Sequence, residues 1–195
     1  MIPALEELIE FLRIFPGIGE KSARRMAFYL LKLSPDKLDS FADAVRAVKS
    51  ISKCPRCGMF TQDELCEYCR SSHRDPSAIC VVEEVQDVQA IEQTGIYQGL
   101  YHILGGHISP VDGIFLPDLN IASLFDRIDA SVTEVIVATN PTLEGEATAN
   151  YLIEQLRSYP AVKITRLATG LPIGGDLSIL SPITVRNSLQ NRKDQ

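Results

Sequence analysis

The 195-residue chain reads as an α+β protein of several modules. Helices joined by a glycine turn come first, then a four-cysteine knuckle, an α/β domain with a largely parallel sheet, and a short tail. Three observations predict this. Apolar residues recur at helical spacing as far as residue 53. Two Cys-x-x-Cys pairs follow, at Cys54/Cys57 and Cys66/Cys69. Beyond them, short β-branched runs alternate with helical stretches, which implies parallel strands covered on both faces. The boundaries drawn are 1–53, 54–69, 77–172 and 173–195.

Leu5, Leu8, Ile9 and Leu12 give the first segment an amphipathic helical period. It stops at Phe15-Pro16-Gly17-Ile18-Gly19, where proline fixes one backbone angle and the glycines permit others. The next helix has Ala23, Ala27, Leu30 and Leu31 on its apolar side and Lys21, Arg24, Arg25 and Lys32 elsewhere. Lys21 and Arg25 are four apart, so their side chains lie one above the other. A glycine turn exposes backbone N–H groups at a helix start. Those donors, the helix dipole and two cations favour an anion there. The expected phosphate contacts are Gly17, Gly19, Lys21, Arg24 and Arg25; the plainer alternative is a tight turn with a solvated basic face. Ser34-Pro35-Asp36 is suited to cap a third helix. Its stripe Leu38, Phe41, Ala42, Val45 and Val48 is expected to be buried.

Each cysteine pair can turn two thiolates toward one ion, and the eight-residue spacer brings the second pair in. Four sulfurs then make a closed tetrahedral site with no position for water, so one structural Zn²⁺ is expected and no catalytic role for it. Gly58 suits the tight turn of such a knuckle. Disulfides fit poorly, because no signal peptide is recognisable and the fifth cysteine, Cys80, is left over. Cys80 lies in an apolar strand and is expected to be an inert buried thiol.

In the α/β domain, strands are expected over 78–82, 100–104, 134–139 and 162–167, with helices over 85–93, 119–128 and 145–158. Ligand chemistry in such sheets sits beyond the carboxyl ends of strands. That singles out Glu83, then Gly105-Gly-His-Ile-Ser-Pro110, then Asn140-Pro-Thr-Leu-Glu-Gly-Glu146. His102 reads as a core imidazole, and no Ser/His/Asp or Cys/His grouping can be assembled. The run Thr169-Gly-Leu-Pro-Ile-Gly-Gly-Asp-Leu177 has no Gly-Lys-Ser/Thr ending and is not a phosphate-binding P-loop.

The formal charge of −6 is uneven. Residues 1–53 carry nine Lys/Arg against seven Asp/Glu, whereas residues 75–181 carry four against fourteen. This pattern suggests a basic contact module attached to an acidic domain with other business. The longest apolar runs are far too short to span a bilayer, so no membrane role is expected. The expected location is the cytoplasm, with the nucleoid following from any DNA role.

Several of these features resemble known families. Helix, Pro-Gly-x-Gly turn and basic helix resemble the helix-hairpin-helix motif, which grips the DNA backbone without reading sequence. The acid after the first strand and the Asn-Pro-Thr-x-Glu-Gly-Glu turn are similar to the Toprim domain of topoisomerases and primases. There an Asp-x-Asp pair and the first-strand Glu hold Mg²⁺; here the matching positions are the neutral Asn140 and Thr142. Glu83, Glu144 and Glu146 leave room for weak Mg²⁺ binding, with Glu83 the central ligand. The order of modules, together with Leu104-Gly-Gly-His-Ile-Ser-Pro110 and Gly170-Leu-Pro-Ile-Gly-Gly-Asp176, resembles the bacterial RecR recombination mediators nearly end to end.

That resemblance implies a non-enzymatic role in recombinational DNA repair. Such proteins bind single- and double-stranded DNA and assemble as rings, commonly tetramers, with the C-terminal segment 173–195 helping to hold the ring. They act with RecO, and in many bacteria RecF, to load RecA on strands coated by single-strand-binding protein. The family's DNA-contact lysine and arginine match Lys21 and Arg25. The partner-facing acid matches Glu144, with Glu146 beside it. The competing expectation is a metal-dependent Toprim-type nuclease or primase, which the loss of charge at positions 140 and 142 disfavours.

Overall fold

Pro3 stands in the first turn of helix α1 (Pro3–Arg13), where its missing N–H breaks no helical bond. Phe15 O then accepts from the N–H of Ile18, and Gly17 turns the chain at φ +77°, a conformation that strains any other residue. Helix α2 (Glu20–Leu30) returns against α1. Leu5, Ile9, Ala23 and Ala27 form the buried seam between them, the alanines letting the backbones approach closely. The computed structural model describes residues 2–168 and 170–192. The chain divides into two compact units, residues 1–51 and 52–195.

Helix α3 (Pro35–Ala47) completes the first unit and corrects two expectations. Ser34 makes no side-chain cap bond. None of the apolar stripe is buried: Leu38, Phe41, Val45 and Val48 are all exposed. Their helical period is real, but among the described residues of this unit nothing buries that face.

The second unit opens with a small antiparallel ribbon, β1 (Ser52–Lys53) and β2 (Phe60–Thr61), which carries the first cysteine pair in its connection. A single helical turn, α4 (Glu67–Arg70), carries Cys69. Four parallel strands follow: β3 (Asp75–Val82), β4 (Gly99–Ile103), β5 (Glu134–Val137) and β6 (Lys163–Arg166). Their order is β4-β3-β5-β6, with Val82 facing Ile103 and Val81 facing Val137. Helices α5 (Val85–Glu92) and α7 (Leu143–Leu156) lie in the connections. One core cluster joins Val81, Leu104, Leu124, Val135, Leu152 and Leu156; another joins the four cysteines to Cys80, Val82, Val88, Tyr101 and Ile103. The expected α+β chain of several modules, with a parallel sheet in its α/β domain, is what forms.

The stretch expected to be a helix over 119–128 is mostly irregular, and only α6 (Ala122–Phe125) is helical. Asn120 explains this. Its backbone N–H donates to Leu104 O and its side-chain amide to Ile103 O, pinning the chain to the end of β4. Beyond the sheet, helix α8 (Pro182–Gln190) is capped by Ser181, whose hydroxyl accepts from Thr184 N. Thr169 of the glycine loop and residues 193–195 of the C-terminal segment lie outside the described residues.

Candidate nucleic-acid interface, zinc knuckle and closed carboxylate site

The start of α2 is built as an anion-facing helix end. Gly19 occupies the N-cap with no side chain to satisfy the first-turn N–H groups, and the first helical bond runs from Ala23 N to Gly19 O. Lys21 and Arg25 make no ion pair among the described residues, whereas Arg24 donates to Glu20 at 2.9 Å. A cap with no side chain, the helix dipole and two cations without an ion pair among the described residues suit a phosphate.

The four cysteines are all buried, and their sulfurs lie within 4.8 Å of one another. A tetrahedron of Zn–S bonds near 2.3 Å needs sulfurs roughly 3.8 Å apart, so only small shifts separate this cluster from a metal cage. The backbone has already closed the knuckle: Gly58 N donates to Cys54 O, and Cys54 N to Met59 O. Hydrogen bonds from Cys57, then Cys69, hold Cys66 far below the usual thiol range, while the bond to Cys66 pushes Cys57 up.

A second feature fits a charged site. Arg127 is half-buried, and its buried Nε and Nη2 atoms have no hydrogen-bond partner among the described residues. Its Nη1 donates to Tyr101 O and lies 3.2 Å from His102 Nδ1. Burial pushes its pKa down, and the sulfurs of Cys69, Cys57 and Cys54 counter that. Zinc with four thiolates carries net negative charge, which a half-buried arginine with spare donors is placed to offset. His73 is exposed and does not join the group.

The knuckle is fused to the sheet rather than tethered to it. Cys57 O accepts from Ile103 N at 2.7 Å. Tyr68 packs edge-on against Tyr101 at 5.3 Å, and Arg74 lies over the Tyr68 ring while pairing with Glu92. His102 is fully buried between Asn120 O and Arg127, and burial lowers its pKa to about 4. Cys80 is buried too, its thiol pushed up to about 12 by burial.

At the carboxyl edge of the sheet, Glu83 is only 3% exposed. Its Oε1 accepts from Asn140 N at 2.8 Å, and its Oε2 from Asn140 Nδ2 at 2.9 Å with His107 Nδ1 at 3.1 Å. Gly145 is packed so tightly here that an added Cβ would collide with Asn140 O and come within 2.6 Å of Glu83 Oε1. Thr142 caps α7, accepting from Gly145 N. These contacts bear on the weak Mg²⁺ binding expected at Glu83. Both oxygens already serve protein donors, and Asn140 supplies hydrogens where a metal site needs lone pairs. Glu144 and Glu146 do not gather with it: among the described residues the only close group of three or more potential metal ligands is the four cysteines.

Glu146 instead forms a two-pronged pair with Arg166, 2.7 Å at each contact, which holds its carboxyl below the usual range. Glu144 is half-buried beside it, and the preceding Leu143 is 84% exposed. An open depression of about 930 Å³ adjoins this turn, with Leu143, Glu146, Arg166 and Arg186 among its lining residues. Sequence reasoning missed Arg127, Arg166 and Leu143. A lone arginine in the mostly acidic stretch was the one available signal for each of the first two.

Fold and sites together define a class: a Toprim-type sheet with an attached helical hairpin and a four-cysteine zinc knuckle. Family models agree segment by segment. The Toprim domain matches residues 77–168, the RecR helix-hairpin-helix residues 5–49, and the RecR four-cysteine zinc finger domain residues 51–71. The chain is 47% identical over 191 residues to the recombination protein RecR of Streptomyces coelicolor, covering 97% of this chain and 96% of that one. It is 50% identical to that of Cutibacterium acnes, covering 96% and 94%, and 48% identical to that of Chloroflexus aggregans, covering 98% and 94%. The chain belongs to the RecR family. Cys54, Cys57, Cys66 and Cys69 make up its structural zinc site, and the ion supplies the cross-link that a knuckle of this size cannot make from its own core.

Proposed function

We propose that this protein is a non-enzymatic mediator of recombinational DNA repair that grips the DNA backbone through the start of α2. The observation that carries this reading is the glycine-capped helix end with Lys21 and Arg25 beside it. Gly17 and Gly19 present the backbone donors, Lys21 and Arg25 neutralise phosphates, and Arg24 adds a cation steadied by Glu20. Contacts of this kind recognise phosphate, so single strands and duplexes are both bound without sequence preference.

The acidic second unit recruits protein. Glu144, Glu146 and the exposed Leu143 combine charge with an apolar anchor, a mixture suited to a partner and repellent to DNA. The partner is RecO, with RecF joining where present, and the outcome is RecA loading on strands coated by single-strand-binding protein. The exposed apolar faces of α3 and α8 suit assembly of copies into a ring, and the likeness to RecR proteins favours a tetramer. Catalysis has no place in this reading, because Glu83 is consumed by Asn140 and His107.

The test is charge reversal. Lys21→Glu with Arg25→Glu is expected to weaken binding of both single- and double-stranded DNA at low salt, measured by fluorescence anisotropy. Unchanged affinity removes the DNA reading. Glu144→Lys is expected to abolish co-elution with RecO while leaving DNA affinity in place; co-elution that survives removes the partner assignment.

A further inference from the structure

One exposed aromatic ring is not explained by phosphate binding. Lys21, Arg25, Phe28 and Lys32 follow one another at spacings of four, three and four, so they form a single stripe along and just past α2. With Glu20, Arg24 and Tyr29 they line an open depression of about 720 Å³. Four cations and one acid thus surround the Phe28 ring, which is 46% exposed.

Packing does not account for that ring. The core of this unit is Leu5, Ile9, Ala23 and Ala27, with Leu8, Leu12 and Ile18 against it, and Phe28 takes no part. Nor does it belong to the neighbouring apolar groove, which is lined by Leu12, Met26, Tyr29, Leu30 and Phe41 beside Arg25. A second copy is a poor occupant, because two such faces would bring like charges together.

We propose that Phe28 stacks on a nucleobase, so that this face of α2 prefers single-stranded DNA to duplex. The proposal rests on the reading that Lys21 and Arg25 hold phosphates, and adds a selection between DNA forms. A single strand presents unpaired bases at the same level as its phosphates, and an aromatic ring set among cations takes a base face from any of them. A duplex keeps its bases stacked inside. A ring on the phosphate-binding surface reaches one only by unstacking it, which forfeits stacking and pairing within the duplex.

The chain contains no tryptophan, so Phe28→Trp places a lone reporter at the proposed contact. Its fluorescence is expected to be quenched by oligothymidylate and to change little with a duplex of equal length. Phe28→Ala should lower oligothymidylate affinity about tenfold and duplex affinity less than about twofold. Phe28→Tyr should restore the difference.

Lys21→Glu with Arg25→Glu separates the two readings. If that variant weakens both DNA forms while Phe28→Ala weakens neither, or both equally, the stacking role is overturned and the phosphate role stands. If the charge variant weakens neither, the phosphate role falls, and a stacking role resting on it falls too. A Phe28→Ala protein with an altered mass by light scattering, or a lower melting temperature, makes the ring a packing residue and overturns the proposal.

Discussion

Glu83→Ala is the most informative single perturbation of the large domain. The side chain is almost fully buried, and three donors point at it: the N–H and amide of Asn140, and the ring of His107. The Asn140 backbone N–H cannot turn toward solvent, so leaving it unpaired costs about 1–3 kcal/mol. The Asn140 amide and the one-third-exposed His107 can reach water. Their lost bonds to a charged acceptor add about 2 kcal/mol together. The expected total is about 3–5 kcal/mol, a large share of the stability of an ordinary domain. Glu83→Gln keeps the shape but sets one amide against another, and should cost about 1–2 kcal/mol. Urea unfolding of zinc-saturated protein, followed by far-ultraviolet circular dichroism, measures both. A Glu83→Ala loss below about 0.5 kcal/mol contradicts the hydrogen-bond role. So does a Mg²⁺-induced rise in wild-type melting temperature that Glu83→Ala abolishes, because a ligand binding the native state stabilises it. Conversely, Asn140→Asp with Thr142→Asp should lower stability without metal and make it respond to Mg²⁺.

Other expectations concern the knuckle and the core. Zinc removal by a strong chelator should expose four reactive thiols and disorder residues 54–69, with retained local structure by hydrogen exchange contradicting this. Arg127→Met should speed zinc release in chelator competition by about tenfold or more, with secondary structure unchanged while the ion is bound. His102 gives a pH signature. Its folded pKa, about 4, lies below its ordinary value of 6.5, so its contribution is whole above pH 6.5 and lost as pH falls toward 4. That loss is worth about 3 kcal/mol relative to zinc-saturated His102→Gln, and parallel pH profiles for the two proteins contradict it. Gly145→Ala should cost about 2–3 kcal/mol, because the added methyl meets backbone at Asn140 and must displace Glu83; a neutral effect in urea unfolding contradicts that packing.

Much of this was legible in the residues, and what was not has physical reasons. The cysteine spacing announced the knuckle because four ligands to one ion leave little freedom in the intervening chain. The strands were legible because burial on both faces demands continuous apolar runs such as Ala78–Val82. Helix α3 misled because periodicity reports an apolar face and not what covers it: Phe41 and Val45 have the right spacing and remain exposed. The stretch 119–128 carried helical propensity, but Asn120 is held to the end of β4 by bonds no local pattern contains. Glu83 shows the same limit at the site. Its identity marked a carboxylate at a strand end, yet its role depends on Asn140, 57 residues on, and on which atoms that side chain presents. The parallel register of β3 and β5 brings the two together.

The salt dependence of DNA binding addresses the central claim most directly. Each neutralised phosphate contributes about 0.7 to the slope of log affinity against log salt on a single strand, and about 0.9 on a duplex. If Lys21 and Arg25 each hold one phosphate, Lys21→Ala with Arg25→Ala should make the slope shallower by about 1.4 and 1.8 respectively. Slopes identical to wild type on both forms, with or without a change in affinity, would show that neither side chain meets the DNA backbone.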